Sequence, residues 1–457
     1  MSTTDLHKSE HGFSRSQHHA FAIFKHLTSR KRFNRFLHIL GPGLITGAAD
    51  DDPSGIATYS QAGAGFGYSL LWAFPLMFPL LVAVQESCSR IGAVTGKGLA
   101  AVLKENYSRK LLYFSVGLVV VANTINIGAD LGAMAAAMKL LIPLPYVIWA
   151  ILFAFVIVVL EIFVAYKAYA RVLKWLAISL FAYPITAFLV GQPWGHILLI
   201  TFSLPKHLGF DITYIFVGML GTTISPYLFF WDTSEVVEGE IDSRRLTATG
   251  KPPTINRHFL HSLRVDNLVG MTLTIVTAWF IVIVCASVLS ANGIHTVNTA
   301  ADAAQALQPL VHGFPHAGFI AKLIFSVGIV GIGFLSVPVL AGSSAYAVSE
   351  AAGWKEGLHQ KFRRAHAFYA VIALSTFVGL LINFLGINPI KALIFTAVFN
   401  GIASVPLLFL IMRVGNNKNI MGEYKNGKLS NLFVRMAFVV MTVAVCVLFF
   451  AMATHRA

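Results

Sequence analysis

Charge is scarce in this chain: Asp, Glu, Lys and Arg make up 12% of its 457 residues, roughly half the share of an ordinary soluble domain. Cysteine is scarcer still. Cys88, Cys285 and Cys446 stand far apart, inside or beside apolar runs, which excludes a disulfide framework and a zinc-ligand spacing. Catalytic signatures are missing as well: no Walker-type glycine loop, no His-Glu-x-x-His and no nucleophile elbow. An enzyme and an ATP-driven pump are therefore not expected, and no cofactor is implied. The net charge of +14 comes without a basic stripe and interleaved aromatics, so nucleic acid is not the expected partner. Residues 1–36 lack the apolar core of a cleavable signal and read as a basic cytoplasmic tail.

What fills the chain is apolar. Hydrophobic residues make up 56% of it and mean hydropathy is +0.71, in runs of the ~20 residues that a helix needs to cross a bilayer. Eleven such runs are expected, near 38–67, 69–92, 111–140, 145–167, 170–191, 212–239, 265–291, 317–350, 366–386, 388–413 and 431–453. The connections test that count, because cytoplasmic loops carry the Lys and Arg. The tail has Lys25, Arg30, Lys31, Arg32 and Arg35, and every second connection thereafter is basic. Lys97, Lys104, Arg109 and Lys110 follow the second span, and Lys167, Arg171 and Lys174 the fourth. Arg244, Arg245, Lys251, Arg257 and Arg264 follow the sixth, Lys355, Lys361, Arg363 and Arg364 the eighth, and Arg413, Lys418, Lys425 and Lys428 the tenth. The opposite connections are nearly free of Lys and Arg. An amino terminus inside and a carboxyl terminus outside is the expectation, with anionic lipid headgroups as partners of the basic loops. The short tails suggest a prokaryotic inner membrane.

Two spans are interrupted. The first contains Asp50-Asp51-Asp52-Pro53-Ser54-Gly55, and each carboxylate at mid-membrane costs about 2.5–3.5 kcal/mol on insertion scales. Pro53 removes a backbone donor and Gly55 permits a turn, so the helix should unwind and free carbonyls beside the carboxylates. The sixth span contains Gly221-Thr222-Thr223-Ile224-Ser225-Pro226-Tyr227. If spans one to five and six to ten are two repeats, these breaks correspond, and five being odd, the second copy is inverted. Paired interruptions of this kind point to a midplane transport site. The competing reading is two structural proline kinks, which the three aspartates of the first span argue against.

These residues resemble a known family. Gly41-Pro42-Gly43 ahead of Asp52-Pro53-Ser54-Gly55-Ile56-Ala57-Thr58 is similar to the first helix of the NRAMP metal-ion transporters, whose motif there is Asp-Pro-Gly-Asn. Gln61-Ala62-Gly63-Ala64, the run Arg90-Ile91-Gly92-Ala93-Val94-Thr95-Gly96-Lys97 and Asn419-Ile420-Met421-Gly422 extend the likeness from about residue 40 to about 425. The resemblance implies an all-α polytopic membrane protein of the leucine-transporter type, with discontinuous helices 1 and 6 in an inverted repeat of five plus five. The organisation expected is 37–191 for the first repeat, 192–413 for the second, and 414–457 for a loop and helix 11. It implies a divalent metal cation as the transported substrate, held by Asp52 and the Thr222 carbonyl, and a monomer suffices for transport; the oligomeric state stays open.

The departures from the motif matter. The family's asparagine falls on Gly55 and its ligand methionine on Ser225. Thioether sulfur favours transition metals, so its replacement by a hydroxyl turns the expectation toward hard cations such as Mg²⁺, with Mn²⁺ still admitted. Magnesium-transporting relatives lack this methionine too. Two histidines of the family's sixth helix fall on Tyr227 and Asp232, and the acidic pair of its third helix on Asn126 and Ala129, with Asp130 one residue on; proton coupling is not expected. Asp50 and Asp51 either add negative field around the ion or cap the unwound stretch. Asn123, Asn126 and Asp130 share a helical face and either line a polar pathway or bond between helices. Asp232, Glu235 and Glu238 either conduct a hydrated cation or pair with Arg244 and Arg245. Thr396, Asn400 and Ser404 form a candidate cavity wall, while Glu161 and Glu350 read as interface anchors. Two other readings remain: a proton-coupled Mn²⁺/Fe²⁺ transporter, or a carrier of a metal chelate or small organic solute on the same fold. A channel or membrane sensor is the remaining class.

Overall fold

The computed structural model describes residues 52–164, 180–203, 209–242, 255–360 and 362–454. Asp50 and Asp51, residues 170–179 of the fifth span, and Arg244 and Arg245 lie outside the described residues. Within them every regular element is helical: α1 Pro53–Phe66, α2 Ala73–Thr95, α3 Leu99–Asn106, α4 Arg109–Lys139, α5 Tyr146–Phe163, α6 Ala182–Leu189, α7 Trp194–Thr201, α8 Phe210–Thr223, α9 Pro226–Asp242, α10 Arg257–Val288, α11 Ala300–Gln305, α12 Ala317–Ala352, α13 His366–Ile382, α14 Pro389–Asn416, α15 Lys418–Met421 and α16 Lys428–Thr454.

Among the described residues, eight segments are long and apolar enough to cross a membrane: α4, α5, the broken pair α8–α9, α10, α12, α13, α14 and α16. The other three expected spans are represented by α1, described from its break onward, by α2, whose 23 residues carry Gln85, Glu86 and Arg90, and by α6. The outer surface explains where the hydrophobic excess goes. Phe155, Phe450 and Leu385 are about two-thirds exposed or more, and side chains like these cover faces of the long helices. Water would not tolerate an apolar surface of that extent; lipid does.

Local chemistry sets the helix ends. Asp52, Ser108, Asn256 and Asn388 each cap a helix amino terminus through a side-chain oxygen. Pro53 and Pro389 take the first helical position, where the missing N–H has no partner to lose. Four short helices that hydropathy did not foretell, α3, α7, α11 and α15, lie in connections. One of them, α3, is held from far along the chain: Glu350 Oε2 accepts from Ala101 N at 3.0 Å, and its other oxygen accepts from Ser234 Oγ at 2.9 Å. Glu350 thus anchors α3 and α9 to the end of α12.

Tight helix pairs use small residues, as expected where lipid supplies no hydrophobic drive. The approach of α8 to α14 is the closest to the breaks: a Cβ on Gly221 would lie 2.7 Å from the Cα of Gly401 and would overlap the Ala397 carbonyl. That contact fixes α14 against the residue next to Thr222.

In the connection after α12, burial and the carboxylates of Glu350 and Glu238 push Glu356 up to about 9, against the pull of Lys104. A carboxyl raised in the folded state keeps a proton that the unfolded chain releases. Its effect is therefore a loss of stability as pH rises from the usual carboxylate range toward 9. Glu356→Gln should flatten that loss and raise Tm by several degrees at about pH 8 with little change near pH 4. Thermal unfolding in detergent across this range checks it; an equally steep decline in the variant would contradict it.

Candidate functional site

The site grows from the two interruptions. Asp52 is extended (φ −68°, ψ 169°) and α1 starts at the next residue. Its Oδ1 accepts from Gly55 N at 2.8 Å and from Ser54 Oγ at 2.6 Å. Across the bundle, Thr222 Oγ1 donates to the same oxygen at 3.4 Å. The other oxygen, Oδ2, accepts from Asn126 Nδ2 of α4 at 3.0 Å. The carboxylate is 1% exposed. No Lys, Arg or His pairs with it among the described residues, whose ion pairs all involve other carboxylates.

Helix capping alone does not account for this group. A cap uses one oxygen, and serine or asparagine supplies it without charge. Here the second oxygen is engaged elsewhere, and the charge is buried without a counter-ion, which costs several kcal/mol unless something positive offsets it.

The sixth-span break has its own logic. Pro226 has no N–H, so the Thr222 carbonyl loses its helical donor. The Ser225 hydroxyl covers it, with its Oγ 2.7 Å from Thr222 O and 2.9 Å from Gly221 O. Ile224 leaves the helical region (φ −111°, ψ 66°), and its carbonyl accepts from Ser404 Oγ of α14 at 2.6 Å. The broken stretch therefore gathers backbone and hydroxyl oxygens beside Asp52. The carboxyl end of α8 adds partial negative charge there.

Gly55 and Thr222 are complementary in shape. A Cβ on Gly55 would lie 3.0 Å from Thr222 Oγ1 and 3.4 Å from Tyr59 Cε2, so the absence of a side chain at 55 is what admits the threonine hydroxyl. Tyr59 OH and Thr223 Oγ1, 2.7 Å apart, tie the same two helices together one turn on.

The structure brings together Asp52, Gly55, Thr222 and Asn126 from the expected set and adds Ser54. It turns Ser225 onto its own helix. In the case of Thr222 it is the hydroxyl, where the carbonyl was expected, that faces Asp52. Asp130, one turn beyond Asn126 on α4, accepts from Ser336 Oγ of α12 at 2.9 Å. Asn123 points elsewhere and donates to Leu340 O and Ser344 Oγ, both at 3.0 Å, as an interhelical bond. Asn400 is buried on α14 with neither amide atom hydrogen-bonded. Tyr227 is buried, and its carbonyl accepts from Ser343 Oγ at 2.8 Å.

Further along α9, Asp232 is buried and accepts from Ser89 Oγ of α2; Ser89 in turn accepts from Asn267 Nδ2 of α10 at 2.7 Å. Glu235 is half-buried. Glu238 accepts from Tyr346 OH and from Leu358 N, so it fastens α9 to α12 and the connection after it. Glu161 is buried on α5 with neither oxygen hydrogen-bonded.

Among the described residues, no group of three or more His, Cys, Asp or Glu is placed to hold a metal. A cation at Asp52 would instead find, among the described residues, that carboxylate beside mostly neutral oxygens, with the Asp130 carboxylate one turn beyond Asn126, and oxygens of this kind fit a hard ion. Asn126 Oδ1 and Asp130 Oδ1 are buried with no hydrogen-bond partner. Buried polar atoms normally find one, and lone pairs left over beside a carboxylate suit an ion and its water.

Known proteins resemble this chain in sequence and in fold. The family described as natural resistance-associated macrophage protein-like matches residues 43–451. A relative from Caldanaerobacter subterraneus subsp. tengcongensis, named divalent metal cation transporter MntH, is 25% identical over 407 residues, covering 87% of this chain and 89% of its own. Among solved structures, the manganese transporter of Eremococcus coleocola superposes with a TM-score of 0.70 at 16% identity, over 91% of this chain and 87% of that one. The nucleobase-cation-symport-1 family transporter Mhp1, in a closed conformation, gives 0.55 at 13% identity, over 91% of each chain. The leucine-transporter-type fold is thereby established for this sequence.

Proposed function

The chain belongs to the natural resistance-associated macrophage protein-like family, and from that membership we propose that it carries divalent metal cations across the membrane by alternating access around Asp52. The observation that carries this reading is the buried Asp52 carboxylate, without an ion-pair partner among the described residues, set at the start of α1 beside the break between α8 and α9. A cation entering there neutralises a charge that the protein leaves uncompensated, and its binding energy is gained where both halves of the fold meet.

The donors decide the class of ion. Asp52, the hydroxyls of Ser54, Thr222 and Ser225, the amides of Asn126 and Asn400 and the backbone oxygens of the break are all hard ligands. Among the described residues most of these donors are neutral, and a site of that kind suits an ion that keeps part of its water shell, which is the habit of Mg²⁺. Mn²⁺, with similar oxygen preference, is the second cargo, in keeping with the manganese named for the structural relative. The acidic pair that the resemblance associates with proton movement falls on Asn126 and Ala129, and Asp130, one residue on, is hydrogen-bonded to Ser336. Transport is proposed to run down the cation gradient without a coupled proton. Asp232 and Glu235, on the stretch of α9 beyond the break, would present negative charge along the way out, and Tyr227 would line its first turn.

Purified protein in liposomes loaded with a metal-sensitive dye tests the reading. Mg²⁺ and Mn²⁺ should enter at rates that an imposed pH gradient leaves unchanged; purified, folded protein that moves neither ion would refute it. Selectivity gives a sharper measurement. Ser225→Met restores a soft ligand, so Cd²⁺ uptake relative to Mg²⁺ should rise on the order of tenfold, about 1.4 kcal/mol of preference. An unchanged Cd²⁺/Mg²⁺ ratio would remove residue 225 from the ion's surroundings.

A further inference from the structure

An open cleft of about 690 Å³ lies between α14, α16 and the turn after α3, away from the helix breaks. Its polar lining includes Arg413, Arg435, Asn106, Tyr107 and Asn416, and no carboxylate. Both arginines are exposed, and neither is ion-paired among the described residues. Arg413 is held over the Phe409 ring, 5.6 Å from its centroid, a cation–π contact that steadies the guanidinium. Phe409 in turn packs on Phe438 of α16 with centroids 5.8 Å apart. The cationic rim therefore stands directly on an aromatic pair that joins two helices.

Below that pair the surface stays apolar and faces outward: Phe409, Met436 and Val439 are 42%, 37% and 55% exposed. The two halves of the cleft ask for different chemistry. Two unpaired guanidiniums and neutral amides call for a phosphate, since guanidinium matches its oxygens in a bidentate fork. The apolar wall that continues onto the membrane-facing side calls for hydrocarbon. A soluble anion would satisfy only the first. We propose that this cleft binds an anionic phospholipid, its phosphodiester headgroup on Arg413 and Arg435 and its acyl chains along Phe438 and Val439. The cleft lies at the membrane face that carries the basic connections, the face toward which anionic lipid is drawn.

Native mass spectrometry of the purified full chain, given equal phosphatidylglycerol and phosphatidylcholine, reads the preference directly. The wild type should retain phosphatidylglycerol over phosphatidylcholine, and Arg413→Gln and Arg435→Gln should each cut that preference about fivefold. Millimolar inorganic phosphate should leave the bound lipid in place. Equal retention of both lipids by the wild type would overturn the proposal; displacement by inorganic phosphate would make this a soluble-anion site and overturn it too. If a variant fails to fold, the wild type still decides: a photoactivatable phosphatidylglycerol should crosslink within Pro389–Asn416 or Lys428–Thr454, and crosslinks confined to other helices would reject the cleft.

Discussion

Asp52→Asn should abolish divalent-cation binding and uptake, by at least about a hundredfold, while the protein still folds. Asparagine keeps the shape of the side chain and an oxygen able to cap α1 through Gly55 N, so the helix start survives. What disappears is the charge. A single opposite charge at 4 Å is worth about 4 kcal/mol at an effective dielectric of 20, close to a thousandfold in affinity, and a doubly charged ion loses more. Calorimetric titration with Mg²⁺ and Mn²⁺, paired with liposome uptake, measures both consequences. The thermal midpoint of the variant should equal or exceed that of the wild type, because an uncompensated buried charge has been removed. Affinity within a few-fold of wild type would mean that the cation sits elsewhere.

The second large effect concerns a residue with no side chain. Gly221→Val should lower Tm by several degrees and cut transport more than tenfold. The added Cβ meets the Gly401 Cα and the Ala397 carbonyl, both backbone, so no rotamer change relieves the clash. Overpacked cores lose about 1–3 kcal/mol, and a helix that cannot yield is expected at the top of that range. Parting α8 from α14 also shifts Thr222, whose hydroxyl is only 3.4 Å from Asp52 and at the edge of bonding. Both helices are part of the seat, so stability and uptake should fall together. Differential scanning fluorimetry and the same liposome assay check this. Wild-type values in both would show that the close approach is not needed.

Much of this architecture was legible in order along the chain, because the bilayer imposes local rules. Length and apolarity marked most spans without any contact being known, and the basic connections supplied their expected alternation. The sixth-span break was legible too, since Pro226 cannot donate, and Asp52 with Pro53 marked the start of α1. Less visible was which atoms would meet. Ser54 and Thr222 lie 168 residues apart, yet both hydroxyls approach one carboxylate oxygen; hydroxyl direction follows from packing, which one sequence does not display. The Thr222 carbonyl was expected to be free, but Ser225 three residues on turned out to cover it. Likewise Asn123 and Asn126 share a helical face, and only the placement of α12 and α1 separates a structural bond from a bond to Asp52. Glu350 as the cap of α3 depends on a partner 249 residues away, and periodicity carries no trace of it.

The hydroxyls of Ser225 and Ser404 have one more consequence. If transport runs without a coupled ion, as proposed above, the carrier makes its return journey without cargo, and bare carbonyls in a dry seam would hold it back. With each oxygen supplied by a proton that can swing aside for a metal and swing home afterwards, the seam is insulated in both conditions. Replacing either serine with alanine would then slow the unloaded half of the cycle more than the loaded half, a kinetic asymmetry written into two O–H bonds.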